Sequence, residues 1–475
     1  MMKRSFIAVV LAGLLTGCTV GPKYVKPVVK SPGVFRGADS AAAADTRSLG
    51  DLKWFEVFKD DQLQALVRTA LAQNYDLRSA VARVLVARAS LGVTRSNEYP
   101  EIGASGQFTS SQLSTKGQFL LPPNLPPGFA ISRTRNFGSI LLNLASFELD
   151  IWGRLRRATE AGRADLLASE ENRKAVTVTL IGDVASAYLD LIELDNELEI
   201  SKRTLATRQE SLRLVTLQQQ SGIASILDVR QAEQLVYSAS VVIPATELQI
   251  EQAENQISLL LGQDPGPIAR GRSLIDQEQP PAVPPGLPSS LLERRPDILA
   301  AEQNLVAANA DIGVARAAYF PRISLTGFLG TSSSQLTNLF TGATRAWNFV
   351  PEIDRPIFDG GRIKANVRLA EAQKQNALVQ YEKSIQVAFS EVSDALVQRR
   401  RAREIRVQQE LLVGAVRDRV RLAYVRYRSG VDTLLNALDA DRDLFFNELL
   451  LAQARRNELL AMVRLYKSLG GGWQE

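Results

Sequence analysis

Arg426-Tyr427-Arg428-Ser429-Gly430-Val431-Asp432-Thr433-Leu434-Leu435-Asn436-Ala437-Leu438-Asp439 lies between two long runs of helical periodicity. Gly430 is placed to take a positive φ, the conformation in which glycine ends one helix and lets the chain reverse. The stretch therefore reads as the tight tip of a helical hairpin. A second tip, Ser221-Gly222-Ile223-Ala224-Ser225-Ile226-Leu227-Asp228, lies 208 residues earlier, Gly222 against Gly430. The same separation relates Gly153-Arg154 to Gly361-Arg362, Val184 to Val392, Leu227 to Leu435, Ala232 to Ala440, and Leu261-Gly262 to Leu469-Gly470. An offset that holds across about 110 residues without slippage marks an internal duplication.

The helices around the tips are long. Gly153 to about Gln220 is one helical run of about 65 residues, which at 1.5 Å per residue extends about 100 Å. A return run follows over about 226–261, with Pro244 at a position expected to kink it. Arg362 to Tyr427 and a return to about Leu469 repeat the pattern, with Val413, Val416, Val420, Ala423 and Tyr427 at coiled-coil spacing. Upstream, Leu63, Leu66, Val67, Ala70 and Leu71 predict a helix from Asp60 to about Asn97, with Asp60-Asp61 favouring its positive end. Its counterpart spans Pro296 to Ala318 at an offset of 221, pairing Asp76 with Asp297, Gly92-Val93 with Gly313-Val314, Arg95 with Arg316, Pro100 with Pro321 and Ile102 with Ile323. The two offsets agree if the first strand pair carries extra residues, which the Pro-rich loop around 114–133 supplies.

Between helices the apolar period falls to two. Ile102, Ala104 and Phe108 alternate with Gly103, Ser105, Gln107 and Thr109. Ile140, Leu142 and Leu144 face away from Ser139 and Asn143, and the phase shifts near Ala145-Ser146, the mark of a bulge or of the end of the lipid-facing part. Strands at about 322–332 and 344–357 are expected in the second half. Each is near the ten or so residues that a tilted membrane-spanning strand needs. Four strands do not close a barrel, and open edges are not tolerated in lipid, so other copies must complete it. Eight, twelve and sixteen strands all satisfy that arithmetic.

Composition narrows the function. The chain has 475 residues, 56 Lys and Arg against 51 Asp and Glu, interspersed, with no basic cluster of the kind a nucleic-acid reader shows. It has no histidine and one cysteine, Cys18. Histidine-dependent triads and histidine- or thiolate-ligated metal sites are therefore excluded, and no carboxylate motif replaces them. The reading is of no enzyme, no cofactor and no metal centre.

The segments follow: 1–17 a signal peptide, 18–59 an acylated extended tether, 60–262 the first repeat, 263–295 a Pro-rich irregular linker, 296–470 the second repeat, and 471–475 a tail. Lys3-Arg4 and the apolar run Phe6 to Leu15 form the signal peptide, too short to span a bilayer. Leu15-Thr16-Gly17-Cys18 resembles the bacterial lipobox, which implies cleavage before Cys18 and its acylation. Each buried methylene then contributes roughly 0.8 kcal/mol of membrane affinity. Thr19, where an Asp would imply inner-membrane retention, points by the same resemblance to the outer membrane.

That lipobox with Thr19-Val20-Gly21-Pro22-Lys23-Tyr24, and the run Gly286-Leu287-Pro288-Ser289-Ser290-Leu291-Leu292-Glu293-Arg294-Arg295-Pro296-Asp297-Ile298, resemble the OprM-type lipoprotein branch of the TolC-like outer membrane factors. The resemblance covers essentially the whole chain. It implies a mainly α fold with membrane β, in which long antiparallel helical hairpins and four transmembrane strands per chain form a homotrimeric α-barrel/β-barrel tube. It implies the exit duct of a tripartite multidrug pump, carrying small amphiphilic compounds. The partners would be outer membrane lipid, a periplasmic adaptor and an inner-membrane resistance-nodulation-division transporter, with no nucleic acid. Alternatives are a duct for type I protein secretion or metal-cation efflux, or a structural periplasmic lipoprotein.

The resemblance also implies a periplasmic gate at the tips. Carried onto this chain, Leu435 and Asp439 sit one turn apart with Val431 one turn before them, giving apolar and anionic rings in a trimer. Arg442 and Tyr427 are the latch candidates, and Gly222 and Gly430 make the turns. Gln231 stands opposite Asp439 in the repeat and Asp228 opposite Asn436, so the two tips differ in role. Without the resemblance, Asp439, Asp441, Arg442 and Asp443 read as a solvated helix face.

Overall fold

The computed structural model describes residues 19–29, 35–36, 48–112, 134–278 and 288–473. The signal peptide, Cys18, most of the tether and the loop around 114–133 lie outside them. The described residues divide into two compact units, those within 19–26, 86–166 and 303–378 and those within 27–85, 167–302 and 379–473. Its helices are α1 (Trp54–Val57), α2 (Asp61–Gln73), α3 (Tyr75–Ser96), α4 (Arg154–Gln220), α5 (Ile226–Leu261), α6 (Pro288–Arg294), α7 (Pro296–Ala317), α8 (Arg362–Arg428) and α9 (Leu434–Ser468). The strands are β1 (Ile102–Gln112), β2 (Thr134–Glu148), β3 (Arg322–Ser333) and β4 (Arg345–Asp354).

The duplication holds at the level of element ends. Both α4 and α8 are 67 residues long and start and finish 208 residues apart, 154 against 362 and 220 against 428. Both α3 and α7 have 22 residues, with ends 221 apart.

In the first unit the strands form one antiparallel sheet in the order β1-β2-β3-β4. Opposed residues share a face, so Ala104, Leu142, Leu329 and Trp347 make one apolar row across all four strands. Ile102, Leu144, Gly327 and Phe349 make the next. The other face is mixed: Ser105, Gln107, Asn143, Asn348 and Glu352 share it with Leu141, Phe328 and Val350, and Asn143 Nδ2 donates to Ser105 Oγ at 2.7 Å. Within this chain the apolar face is bare: Leu142 is 55% exposed, Leu329 61% and Trp347 75%. Among the described residues no globular core covers it, as expected of a sheet whose apolar side meets lipid. The phase shift read near Ala145-Ser146 is a bulge: between the pairs Leu144–Gly327 and Phe147–Leu325, two residues of β2 (Ala145 and Ser146) stand against one of β3 (Thr326). Among the described residues β1 and β4 each have one strand neighbour, so both edges are open.

Charge and aromatic contacts fix the base of the sheet. Arg154 forks onto Glu148 with Nε and Nη2 each 2.8 Å from its oxygens, and Arg322 Nε reaches the same carboxylate at 2.8 Å. Trp152 stacks on Phe320 at 4.6 Å and its indole donates to the Pro321 carbonyl. Asp150 accepts from the Leu155 and Arg156 amides and so starts α4.

In the second unit the most apolar part of α4 is core, with Ile181, Val184, Tyr188, Leu191 and Ile192 buried. Asp60 caps α2 through the Gln62 and Leu63 amides and also accepts from Tyr188 Oη, the Arg272 amide and Gln277 Nε2. Burial opposes its charge, but these hydrogen bonds hold it below the usual carboxylate range. The Arg-Arg-Pro-Asp run has a packing role: Arg295 forks onto Asp297 and donates to Glu391 and to the Ser468 carbonyl, bridging the start of α7 to α8 and the end of α9.

Three expectations need correction. The helix expected over 60–97 is two, broken at Asn74, whose carbonyl Oδ1 accepts from the Leu77 amide while its Nδ2 donates to the Leu260 carbonyl. Capping competes with continuation there, and Asn is suited to it. Residues 49–51 and 54–57, read as extended tether, form helical turns that bury Leu49 and Trp54. The linker read as irregular contains α6. Pro244 lies inside α5, which runs unbroken from Ile226 to Leu261.

Candidate functional site at the hairpin tips

Both tips reverse on a glycine in the left-handed region, Gly222 at φ +77° and Gly430 at +71°. A Cβ at either would meet nothing within 4 Å, so the requirement for glycine is conformational and not steric. The caps differ as the sequence mismatch implies. Ser225 and Asp228 form a reciprocal capping box at the start of α5: Ser225 Oγ accepts from the Asp228 amide and Asp228 Oδ2 accepts from the Ser225 amide. In the second tip Asn436 replaces that aspartate. Asp432 takes over, accepting from the Thr433 amide at 2.8 Å, from Asn436 Nδ2 at 2.6 Å and from Arg426 Nε at 3.0 Å. Those bonds hold the Asp432 carboxyl below its ordinary range.

Apolar burial joins the two hairpins just behind the tips. Val215, Val229, Leu235, Leu434 and Leu438 form a buried cluster, with Leu212, Ala224 and Tyr427 against it. Tyr427 Oη donates to Gln218 Oε1 at 2.8 Å, linking α8 to α4. Burial pushes its phenol pKa up from an ordinary value that already keeps the O–H at neutral pH.

Leu435 and Val431 point into solvent, 47% and 64% exposed. Asp439 is half-buried one turn after Leu435 on α9. Val431 instead precedes the helix, which starts at Leu434, and so sits in the turn and not one helical turn before Leu435. Arg442 pairs with Asp439 at 3.2 Å and more loosely with Asp443 at 3.7 Å. In a single chain, then, Arg442 serves carboxylates of its own helix. Asp441 departs from the solvated-face reading: it is buried, and its carboxylate accepts from Arg208 Nε at 2.8 Å. Arg208 is itself buried, donates to the Leu235 carbonyl and Ser238 Oγ, and lies 5.0 Å from the Phe445 ring. Sequence reasoning missed this pair. A signal existed, because Arg208 occupies the repeat position of Val416, one of the inward coiled-coil valines.

Paired helices of this length, joined to an open sheet that is apolar on one side, are the parts of a channel that crosses a membrane and continues beyond it. The profile of the outer membrane efflux protein family matches residues 66–263 and 287–471. The chain is 38% identical over 471 residues to outer membrane protein OprJ of Pseudomonas aeruginosa, covering 98% of this chain and 96% of that one. It is 36% identical over 462 residues to the cation efflux system protein CusC of Escherichia coli, covering 97% of each. It superposes on the open-state MtrE outer membrane channel of Neisseria gonorrhoeae with a TM-score of 0.87 and 33% identity, over 96% of this chain and 99% of that one. The chain belongs to the outer membrane efflux protein family. It is an outer-membrane channel, the outer-membrane component of an efflux pump, and not an enzyme.

Proposed function

We propose that three copies assemble into a tube whose twelve strands cross the outer membrane and whose helical hairpins form a periplasmic duct for drugs and other small amphiphilic compounds. The observation that carries this is the four-stranded sheet with one bare apolar face and two open edges. Unpaired N–H and C=O groups in hydrocarbon each cost several kcal/mol, so the sheet is stable in lipid only when other copies close it. An inner-membrane resistance-nodulation-division transporter supplies cargo and energy, and a periplasmic adaptor joins it to the hairpins. Cys18 carries the acyl anchor.

The tips form the gate. Exposed Leu435 and Val431 supply apolar rings and Asp439 an anionic ring, the two kinds of constriction that resist hydrated solutes and select by charge. Tyr427 latches the second hairpin to the first through Gln218. Arg442 latches the closed mouth by exchanging a carboxylate of its own helix for one on the neighbouring copy. Asp439→Ala in planar bilayers should raise conductance and weaken cation preference, and unchanged traces would refute the gate. Deleting the gene should sensitise cells to several unrelated drugs. The likeness to CusC keeps metal cations as a second cargo class, and selective sensitivity to copper or silver after deletion would favour it.

A further inference from the structure

The internal repeat supplies a template for the contact between copies. Within one chain, the end of the first repeat's second strand, β2, packs against the start of the second repeat's first strand, β3. The open edges are the equivalent pair, β4 from one copy and β1 from the next. We infer that β4 pairs with the neighbouring copy's β1 in the register that β2 keeps with β3, and that Arg362 forms an ion pair with the neighbouring copy's Glu101 beneath it. The inference rests on the three-copy assembly proposed above.

The register transfers through the two offsets. Phe147 lies opposite Leu325 and Glu148 opposite Ser324, and the Leu149 amide donates to the Ile323 carbonyl at 2.8 Å. Shifted by 208 on one side and 221 on the other, Arg355 comes opposite the neighbour's Ala104, Pro356 opposite its Gly103, and the Ile357 amide meets its Ile102 carbonyl. The strand β4 keeps continuous register with β3 through Asp354, with no bulge. The same alignment therefore places Asp354 opposite Ser105, Glu352 opposite Gln107 and Asn348 opposite Ser111 on the mixed face. Pro351 and Ile353 fall beside Phe108 and Gly106 on the apolar one. A slip of one residue would turn one strand inside out relative to the other. Exposure agrees: Leu149, covered within the chain, is half-buried, whereas its repeat partner Ile357 is 102% exposed.

Charges then distinguish the two junctions. Within the chain Glu148 sits between Arg154 and Arg322. At the equivalent junction between copies, Pro356 replaces the central Glu148, Arg362 replaces Arg154, and Glu101 replaces Arg322. Losing the middle carboxylate would leave two arginines facing each other, but one has become a glutamate, so the remaining pair is complementary. Neither Glu101 nor Arg362 makes a side-chain hydrogen bond or ion pair among the described residues, and both are exposed; the charge near Arg362 in its own chain is Asp359, whose carboxylate is taken up by the Gly361 and Ile363 amides.

Disulfide trapping tests the register. In one chain β1 and β4 are opposite edges of a four-stranded sheet, about 14 Å apart at roughly 4.8 Å per strand spacing, beyond disulfide reach. Ser105→Cys with Asp354→Cys should therefore give covalent dimers and trimers on denaturing gels. Each single variant, which still carries Cys18, should give none, and neither should the off-register pair Thr109→Cys with Asp354→Cys. For the ion pair, Glu101→Arg and Arg362→Glu should each lower the temperature at which the trimer dissociates in detergent, and the two together should restore it. A trimer on native gels without the Ser105–Asp354 cross-link overturns the register, and a swap pair no better than either single overturns the ion pair. Either result leaves the assembly standing. Absence of any trimer in the unsubstituted protein overturns the assembly itself.

Discussion

Asp441→Ala offers the sharpest view of how the tips are held. Arg208 is almost wholly enclosed, its side chain 3% exposed against 11% for Asp441. Removing the carboxylate leaves a buried guanidinium with only neutral acceptors, the Leu235 carbonyl, Ser238 Oγ and, at 3.5 Å, the backbone carbonyl of residue 441, together with the Phe445 ring. Breaking one side of such a pair costs about 3–5 kcal/mol. The surviving acceptors place this case near the lower bound. At about 1.4 kcal/mol per tenfold, local opening becomes on the order of a hundredfold more populated. Amide hydrogen exchange followed by mass spectrometry should show that acceleration in peptides covering 205–240 and 427–445, with peptides of the sheet unchanged. Because both partners can be replaced by apolar groups of similar volume at little net cost, Arg208→Met/Asp441→Leu should recover most of the protection. If Asp441→Ala leaves exchange within about twofold of the parent, or the double variant is as open as the single one, the pair does not hold the hairpins together.

Other expectations are open to direct measurement. Labelled palmitate should enter the parent protein and not Cys18→Ser; equal labelling would remove the acyl anchor. Gly430→Val should destabilise the second tip by about 1–2 kcal/mol, since a β-branched residue is strained at φ +71°, while Gly430→Asn should cost less. Protease nicking at the tip reads the difference, and equal nicking would contradict the turn argument. Burial first, and then the neighbouring Glu197 carboxylate, push Glu193 up to about 8, with Arg456 opposing. Between its ordinary value near 4.5 and about 8 the folded chain keeps a proton that the unfolded chain has released, so stability falls as pH rises through that window. Thermal midpoints of the detergent-solubilised protein should decline from pH 5 to 8 and flatten in Glu193→Gln; parallel curves would count against a protonated Glu193.

Much of the architecture was legible because its signals are local and occur twice. Gly222 and Gly430 mark their turns by conformational need, and long runs of 3.6 periodicity mark α4 and α8. The phase slip at Ala145-Ser146 marked the place of an irregularity, and the pairing of β2 with β3 decided that it is a bulge. A constant offset then turned separate elements into two copies of one module. Glu101, Pro356 and Arg362 take on meaning only through that comparison.

The sequence by itself determined the duplicated order of helices and strands and the apolar side of each strand, since backbone period and glycine conformation are properties of short stretches. Tertiary structure decided which polar residues are sheltered. Asp441 sits in a run of charges that looks solvated, and Asn74 in a stretch that looks helical throughout. Only the approach of Arg208 from a helix more than two hundred residues away, and of the Leu260 carbonyl, makes one a buried anion and the other a cap. Charge and capping are set by the partner across the gap, and spacing along one chain segment carries no record of who that partner is.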